Sequence, residues 1–249
     1  MAGQAVLRAM NQMNALGSKR FFHIYNRGKD DKEIFIDHSD YFRFTLMLYC
    51  CNNTEPTQMK KAQCVGANYY GLAEVKRGKP LVDIISHSLM PNRFHLLIRE
   101  RGVGSVSKFM AKLSTGYTMH FNQKYQRRGP LFAGPFQFFT IRSEAELKYL
   151  FAYIHLKPLK HGVNRRKHPR FLGDDLIKAS LRRYEYSSYL DYMGKDRLRK
   201  IILEPTIFEK YFKSPADFER NIFDWLRLDK TRDLVDRPNF FNQNFNFNS

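Results

Sequence analysis

The stretch MPNRFHLLI at residues 90–98 contains a histidine whose setting suits metal or phosphate chemistry. Its last part reads as a β-strand, and alternation along a strand puts Arg93 and His95 on one face and Phe94 on the other. Histidines at both positions would be typical of a paired metal-ligand strand. Only His95 is a ligand here, because the guanidinium of Arg93 stays protonated and has no free lone pair. The question is whether this strand is a metal site that has lost a ligand.

The composition favours a polyanionic partner. The 249 residues carry 42 Lys and Arg against 24 Asp and Glu, which gives a formal net charge of +18 at pH 7. Such a charge attracts nucleic acid. An anionic membrane surface is the weaker interpretation, since no run is apolar and long enough to span a bilayer. Cys50, Cys51 and Cys64 form no disulfide or zinc pattern. Because the N-terminus also lacks the continuous apolar run of a secretory signal, we expect a cytoplasmic protein.

Local patterns predict the elements that would position the His95 strand. RFFHIYNRG at residues 20–28 is aromatic and β-branched and ends at a glycine, which predicts a first strand. HSDYFRFTLMLYCCNN carries apolar residues at helical spacing and predicts a helix capped by Ser39 or Asp40. Residues 64–100 alternate between turn signals, so they predict two or three antiparallel strands.

The next segments predict a helix, a strand and a second long helix. GVGSVSKFMAKLSTGYTMHFNQKYQRRG reads as a helix with Ser105 or Ser107 near its cap, and PLFAGPFQFFTI reads as a strand. Ser143 and Glu146 then have the spacing of a capping box. The resulting order β, α, β, β, α, β, α favours an α+β fold in which an antiparallel sheet carries helices on one face.

The composition changes in the last third of the chain. KPLKHGVNRRKHPRF is rich in basic turns, and short helical segments follow it up to Trp225. The final NFFNQNFNFNS alternates Phe and Asn and predicts an extended end, whereas residues 1–19 read as a frayed helix or tail. We therefore divide the chain into a tail at 1–19, a main domain at 20–163, and a basic linker with a helical extension at 164–249.

Several of these segments together resemble the REP-associated tyrosine transposases, members of the single-tyrosine HUH (IS-two-hundred-like) transposases. The resemblance spans roughly residues 20–195 and rests on five segments in order: HIYNRGKDDKEIFIDHSDYFRF, SLMPNRFHLLI, KLSTGYTMHFNQKYQRRGPLFAGPF, YIHLKPLKHGV and YEYSSYLDYMG. It implies that the main domain is a ferredoxin-like HUH sheet that uses Mg or Mn. It also implies DNA transposition, in which a helix-borne tyrosine cleaves single-stranded DNA folded into a hairpin and becomes joined to the 5′ phosphate.

The resemblance places the catalytic nucleophile at Tyr153. A tyrosine suits this reaction because its phenolate attacks phosphorus and its ester keeps the bond energy for later strand transfer. Tyr149 lies one helical turn earlier on nearly the same face, so it is the alternative nucleophile. Without the flanking motif, Tyr153 would be interpreted as a helix residue that packs its ring beside Tyr149.

The resemblance also implies metal ligands at positions 93, 95 and 157, where Arg93, His95 and Lys157 stand. Only His95 among them binds a metal readily, so we expect no tightly held Mg or Mn. Pro135 and Gln137 likewise stand where relatives carry a basic pair. Arg93 and Lys157 are interpreted as fixed positive charges that bind a phosphate. The alternative is that they are surface charges that point at solvent, and for Lys157 the two interpretations have equal weight.

Nucleic-acid-binding residues are predicted at three places, where basic groups lie beside a backbone turn or an aromatic ring. The alternatives are an ordinary strand exit and a solvated helix end. The predicted residues are His23, Asn26 and Arg27 before the Gly28 turn; Lys124, Tyr125, Arg127 and Arg128 in NQKYQRRG; and Arg165, Arg166, Lys167 and Arg170 in NRRKHPR.

Two classes of function follow from these residues. One is a nucleic-acid-binding protein that recognises single-stranded DNA hairpins, or structured RNA, without cutting them. The other is an active transposase-type nickase and strand-transferase that uses Tyr153. The replaced ligands at Arg93 and Lys157 favour the binding protein, and the resemblance favours the enzyme. The residues indicate no oligomeric state.

Overall fold

The computed structural model describes residues 20–55, 78–159 and 173–228. The tail, the predicted strand before residue 78, the domain boundary at 163 and the Phe/Asn end lie outside the described residues. The same holds for the basic cluster of Arg165, Arg166, Lys167 and Arg170, whose nucleic-acid role stays a prediction.

A four-stranded antiparallel sheet forms the centre of the described chain. The strands run in the spatial order β2-β3-β1-β4. Strand β3, which carries Arg93 and His95, is therefore interior and adjacent to β1. The strands are β1 at Phe21–Arg27, β2 at Val82–Met90, β3 at Arg93–Glu100 and β4 at Gln137–Ile141.

Two helices cover one face of this sheet. Helix α1 spans His38–Cys50 and helix α2 spans Ser105–Lys124. Alternate residues of the strands, such as Ile24 and Phe94, share a core with both helices. Two helices on one face of a β2-β3-β1-β4 sheet, in the chain order β, α, β, β, α, β, form the ferredoxin-like α+β arrangement, so the predicted fold class is confirmed.

The opposite face of the sheet is covered by helix α3 and by the C-terminal helical extension. Strand residues Phe21, Ile85 and Leu97 share a second core with Phe151 of α3 and with the later helices. Strand β2 is buried along its whole length, as expected for a strand packed on both faces. These helices are α3 at Glu144–Leu156, α4 at Asp174–Arg183, α5 at Tyr189–Tyr192, α6 at Pro205–Tyr211 and α7 at Pro215–Leu228, and short 3-10 turns lie at Lys29–Asp31 and Leu198–Ile202.

The helix starts follow from their caps. Helix α1 is capped by Asp37, so the prediction of Ser39 or Asp40 was wrong. The Asp37 carboxylate accepts the backbone N–H groups of Ser39 and Asp40, and the Asp40 carboxylate accepts that of Asp37. Helix α3 starts as predicted, because the Ser143 hydroxyl accepts the Glu146 backbone N–H at 3.1 Å.

Strand β4 is shorter than predicted, because only Gln137–Ile141 pairs with β1. Pro130, Gly134 and Pro135 interrupt the preceding segment, and proline cannot donate a hydrogen bond to a strand ladder. Within the three described ranges, no helix combines the length and apolar character that crossing a membrane requires.

Candidate functional site

A cavity of about 590 Å³ lies between the sheet and helix α3. Strand alternation directs His23, Tyr25 and Arg27 of β1 to the same face as Arg93 and His95 of β3. The cavity volume falls within the range of about 300–1,000 Å³ that is typical of small-ligand sites. We call this space the Tyr153 cavity; besides those five residues, its lining includes Gln137 and Phe139 of β4 and Tyr149, Tyr153 and Lys157 of α3.

Two histidines from neighbouring strands form a buried pair at the base of the cavity. The Nε2 atom of His23 lies 2.9 Å from the Nδ1 atom of His95, and the ring planes are 16° apart. Burial, and secondly the nearby Lys157 ammonium, lower the pKa of His23 to about 3. His23 is therefore neutral at physiological pH, and one hydrogen bond occupies a nitrogen of each ring.

Helix α3 presents Tyr153 to this pair. The Tyr153 ring lies edge-on to both histidines, with centroids 5.6 Å from His23 and 6.0 Å from His95. Tyr153 and His95 therefore lie in the same cavity, and the catalytic role of Tyr153 stays a prediction. Tyr149 lies 5.7 Å from the Tyr153 ring and packs against Trp225 of α7 at 5.0 Å, so it stands farther along the helix from the histidines.

Lys157 is buried inside the cavity, with only 6% of its surface exposed. The alternative that it points at solvent is therefore wrong. It follows the last residue of α3, one turn after Tyr153, where a cation interacts favourably with the helix dipole. Its ammonium lies 4.2 Å from the centroid of the Tyr153 ring, a cation–π distance.

Two arginines stand at the entrance of the cavity. Arg27 and Arg93 occupy facing positions of β1 and β3, so two like charges oppose each other across the ladder. The Arg93 guanidinium also forms an ion pair with Asp31 at 3.3 Å, although Asp31 is half exposed and solvent weakens this contact. Like charges that face each other across a strand pair destabilise a sheet, which makes this end of the cavity suited to an anion.

The donor set does not fit a divalent ion of the Mg or Mn type. Such ions prefer several oxygen ligands, whereas this cavity offers imidazole rings of which one nitrogen each, His23 Nε2 and His95 Nδ1, is taken by their mutual hydrogen bond, and Lys157 adds a positive charge beside them. Among the residues that the structure describes, no group of three or more His, Cys, Asp and Glu side chains could hold a metal ion.

The strand-one residues differ in what they do. The Asn26 amide donates to the Gly134 carbonyl at 3.0 Å and accepts the Arg27 backbone N–H, so it fixes the loop at the cavity rim. His23 lies mid-strand and pairs with His95 instead of standing at the strand exit beside Arg27. At the same rim, the Gln137 amide donates to the Pro135 carbonyl at 3.3 Å.

The predicted residues at the end of α2 lie outside the lining of the Tyr153 cavity. Lys124 forms ion pairs with Asp37 and Asp40 at 2.8 Å, and the Tyr125 hydroxyl donates to Asp40. Arg127 stacks over the Phe121 ring, and with Arg128, Lys29 and Lys32 it lines a separate cavity of about 150 Å³. Their nucleic-acid role stays a prediction.

Sequence reasoning missed the aromatic side of the cavity, formed by Tyr25 and Phe139. The signal was present, because Tyr25 shares the strand parity of His23 and Arg27 in RFFHIYNRG. Phe139 required knowledge of the register, in which it lies opposite His23 across the β1–β4 ladder.

Comparisons with known proteins give only a distant likeness to solved structures. No family model matches the chain. No curated protein matches it either. Among solved structures, the chain is similar to a REP-associated tyrosine transposase bound to a REP hairpin, with 10% sequence identity and a TM-score of 0.41 over 72% of this chain and 83% of the other. A likeness at this level does not establish a family, so the properties of the cavity must carry the functional argument.

Proposed function

We propose that this protein binds single-stranded DNA carrying a hairpin and places a backbone phosphate in the Tyr153 cavity, without a divalent ion. The observation that supports this most directly is the convergence of three cationic side chains, Arg27, Arg93 and Lys157, on one cavity. Lys157 is buried there, and its ammonium lies 4.2 Å from the centroid of the Tyr153 ring. A phosphate diester is an anion, so its charge is complementary to these three cations.

The charge of the whole chain fits the same ligand. A formal net charge of +18 attracts a polyanion over a long range and gives a salt-sensitive affinity through counterion release. A second surface on the described part of the chain is basic on balance, because it combines Lys29, Lys32, Arg127 and Arg128 with two carboxylates, Asp30 and Glu33. We assign the hairpin stem to such peripheral basic residues and the single strand to the cavity.

The second candidate function is a nickase and strand-transferase that uses Tyr153. The observation in its favour is that Tyr153 lies against His23, His95 and Lys157 in an open cavity, where a phosphate would come close to its hydroxyl. The unsuitable donor set argues against a metal-dependent version of this reaction. The binding function is therefore the better supported of the two.

The test is a salt titration of affinity for labelled DNA hairpins with single-stranded flanks. Arg93→Gln should weaken binding and reduce the slope of log K against log salt by about 0.7, the value of one single-strand phosphate contact. Arg220→Gln is the matched control, because it removes one arginine from an exposed position on α7. An unchanged slope in Arg93→Gln would place the phosphate elsewhere.

The same samples separate binding from cleavage and DNA from RNA. Denaturing gels after incubation with magnesium or manganese should show no covalent adduct, whereas an adduct that disappears in Tyr153→Phe would establish the enzyme. An RNA of the same hairpin sequence, titrated in parallel, should bind more weakly. Tighter binding of the RNA would make structured RNA the ligand.

A further inference from the structure

One wall of the Tyr153 cavity is made of aromatic rings that stand side by side on the sheet. The rings of Tyr25 and Phe139 lie 5.9 Å apart with planes 1° from parallel. The His95 and His23 rings continue this row, at 5.6 Å and 5.3 Å from Tyr25. Tyr25 and Phe139 are half-buried and belong to the cavity lining. We call these four residues the aromatic wall.

The aromatic wall is next to the cationic end of the same cavity. His95 of the wall lies on β3 two residues from Arg93, and Tyr25 lies on β1 two residues from Arg27. Alternation along each strand keeps every one of these side chains on the face toward α3. The rings stack on one another, and His23 and His95 are buried, so Tyr25 and Phe139 are the members that a ligand can reach. The cavity therefore places an accessible aromatic ring two strand residues from a positive charge.

We propose that the aromatic wall binds one unstacked base of the single strand while Arg93 and Lys157 hold the adjoining phosphate. This inference rests on the proposed function and names the subsite of that ligand, a single nucleotide with its base outside any stack. A base has an apolar π-face and a phosphate is anionic, so the two halves of a nucleotide match the two halves of the cavity. The cavity volume of about 590 Å³ is in the range for such a ligand.

Stacking explains why these positions carry rings. Phe139 is on the edge strand β4, where a large apolar side chain stays partly in water unless a ligand covers it. Its neighbour Phe138 borders the same cavity, but it lies opposite Ile24 in the β1–β4 ladder and packs beside Phe22 at 6.0 Å, so its ring belongs to the face of α1 and α2. The strand thus offers two adjacent phenylalanines of which only Phe139 belongs to the aromatic wall.

The experiment compares two labelled DNA hairpins that differ only in the single-stranded flank. One flank consists of thymidines and the other of the same number of abasic residues, so both carry equal phosphate charge. The protein should bind the thymidine flank about tenfold more tightly, the effect of one stacked base. Phe139→Leu, which removes the ring and keeps apolar bulk, should abolish this preference. Phe138→Leu is the matched control and should retain it.

The outcomes distinguish this inference from the function it rests on. Equal affinity for both flanks, with binding that Arg93→Gln weakens, overturns the base subsite and leaves the phosphate site standing. Absence of any salt-dependent binding overturns both. If Phe138→Leu and Phe139→Leu lose the preference for the thymidine flank equally, the base does not bind at the aromatic wall. Unfolding followed through Trp225 fluorescence shows whether Phe139→Leu folds. If it does not fold, Tyr25→Leu tests the same aromatic wall. The comparison of the two flanks on the unmodified protein requires no variant.

Discussion

Lys157 changes the chemistry of its surroundings because its charge is held at a fixed place. The ammonium lies over the Tyr153 ring and follows the last residue of α3, and both neighbours stabilise a cation. The same charge acts with burial to keep His23 neutral. A cationic side chain thus occupies the side of the cavity where the resemblance implies a metal ligand, and this charge suits a phosphate without any metal ion.

Restoring ligands in place of the two cations should create a metal site. We expect Arg93→His combined with Lys157→Asn to bind manganese in calorimetry, because the variant adds a neutral nitrogen ligand and an amide oxygen near His95 and removes two charges that repel a divalent ion. The unmodified protein should show no such binding. Lys157→Asn alone is the control and should bind weakly, since Arg93 remains. Tight manganese binding by the unmodified protein would mean that the cavity holds ligands beyond His95.

The residues of the cavity could be predicted from the sequence only in part. His95, Arg93, Tyr153 and Lys157 were expected together, because the ordered motifs relate distant segments to one another. The hydrogen bond between His23 and His95 could not be predicted, since the residues are 72 positions apart and meet only through the β1–β3 register. A one-residue change of that register would have turned His23 to the opposite face.

At the scale of elements, the register of the β1–β3 pair and the direction of helix α3 together determine which side chains line the Tyr153 cavity. The β1–β3 ladder brings Arg27 opposite Arg93 and Tyr25 opposite His95. Helix α3 then crosses the same face, and its four-residue spacing directs Tyr149, Tyr153 and Lys157 to one side. No single element contains the cavity, so it exists only when the sheet and α3 are both folded.

Most elements were predictable because their patterns are local. Apolar periodicity and the Ser143 cap place α1, α2 and α3 within a few residues, and RFFHIYNRG places β1. The cap of α1 was misplaced because Asp37, Ser39 and Asp40 are three capping-type residues within four positions, and the sequence does not show which of them comes directly before the first helical residue. The sequence did not predict that helices cover both faces of the sheet, because the order of elements along the chain does not determine on which face α3 and the later helices pack.

Asp37 should contribute to stability through the start of α1. Asp37→Ala removes the acceptor for two backbone N–H groups and one partner of Lys124, so we expect a loss of about 1–2 kcal/mol in the free energy of unfolding. Urea unfolding followed by circular dichroism measures it. Asp37→Asn is the matched control, because its amide oxygen still accepts the N–H groups and should preserve most of the stability. An equal loss in both variants would assign the effect to the ion pair with Lys124.

At the scale of the whole molecule, helices cover both faces of the sheet. Each helical layer forms an apolar core with the strands, and each also contains buried polar groups, such as Asp40 and Thr45 of α1 and His155 of α3. The His155 ring of α3 contacts the Ser188 hydroxyl at 2.7 Å and the Phe151 carbonyl, and Asp191 pairs with Arg197 nearby. The extension is therefore joined to α3 by specific polar contacts as well as by packing.

Buried histidines in this layer should make the stability of the molecule depend on pH. Burial lowers the pKa of His155 to about 4, although the Phe151 carbonyl opposes this shift, and burial holds the pKa of His87 well below its ordinary value. Below the ordinary histidine value of 6.5, the unfolded chain therefore binds protons that the folded protein does not. The free energy of unfolding should fall as the pH decreases from 6.5 to about 4, by about 1.4 kcal/mol per pH unit for each such histidine.

The variant His155→Gln tests this dependence, because it removes one of the titrating groups from the core. Urea unfolding at a series of pH values should give a slope smaller by about 1.4 kcal/mol per pH unit within that window. Ser188→Ala is the matched control: it removes the hydroxyl partner of His155 but leaves the ring buried, so it should lower stability at every pH and retain the slope. If His155→Gln lowers stability by the same amount at every pH, the ring acts only through its contacts, and the acid sensitivity belongs to other groups of the chain.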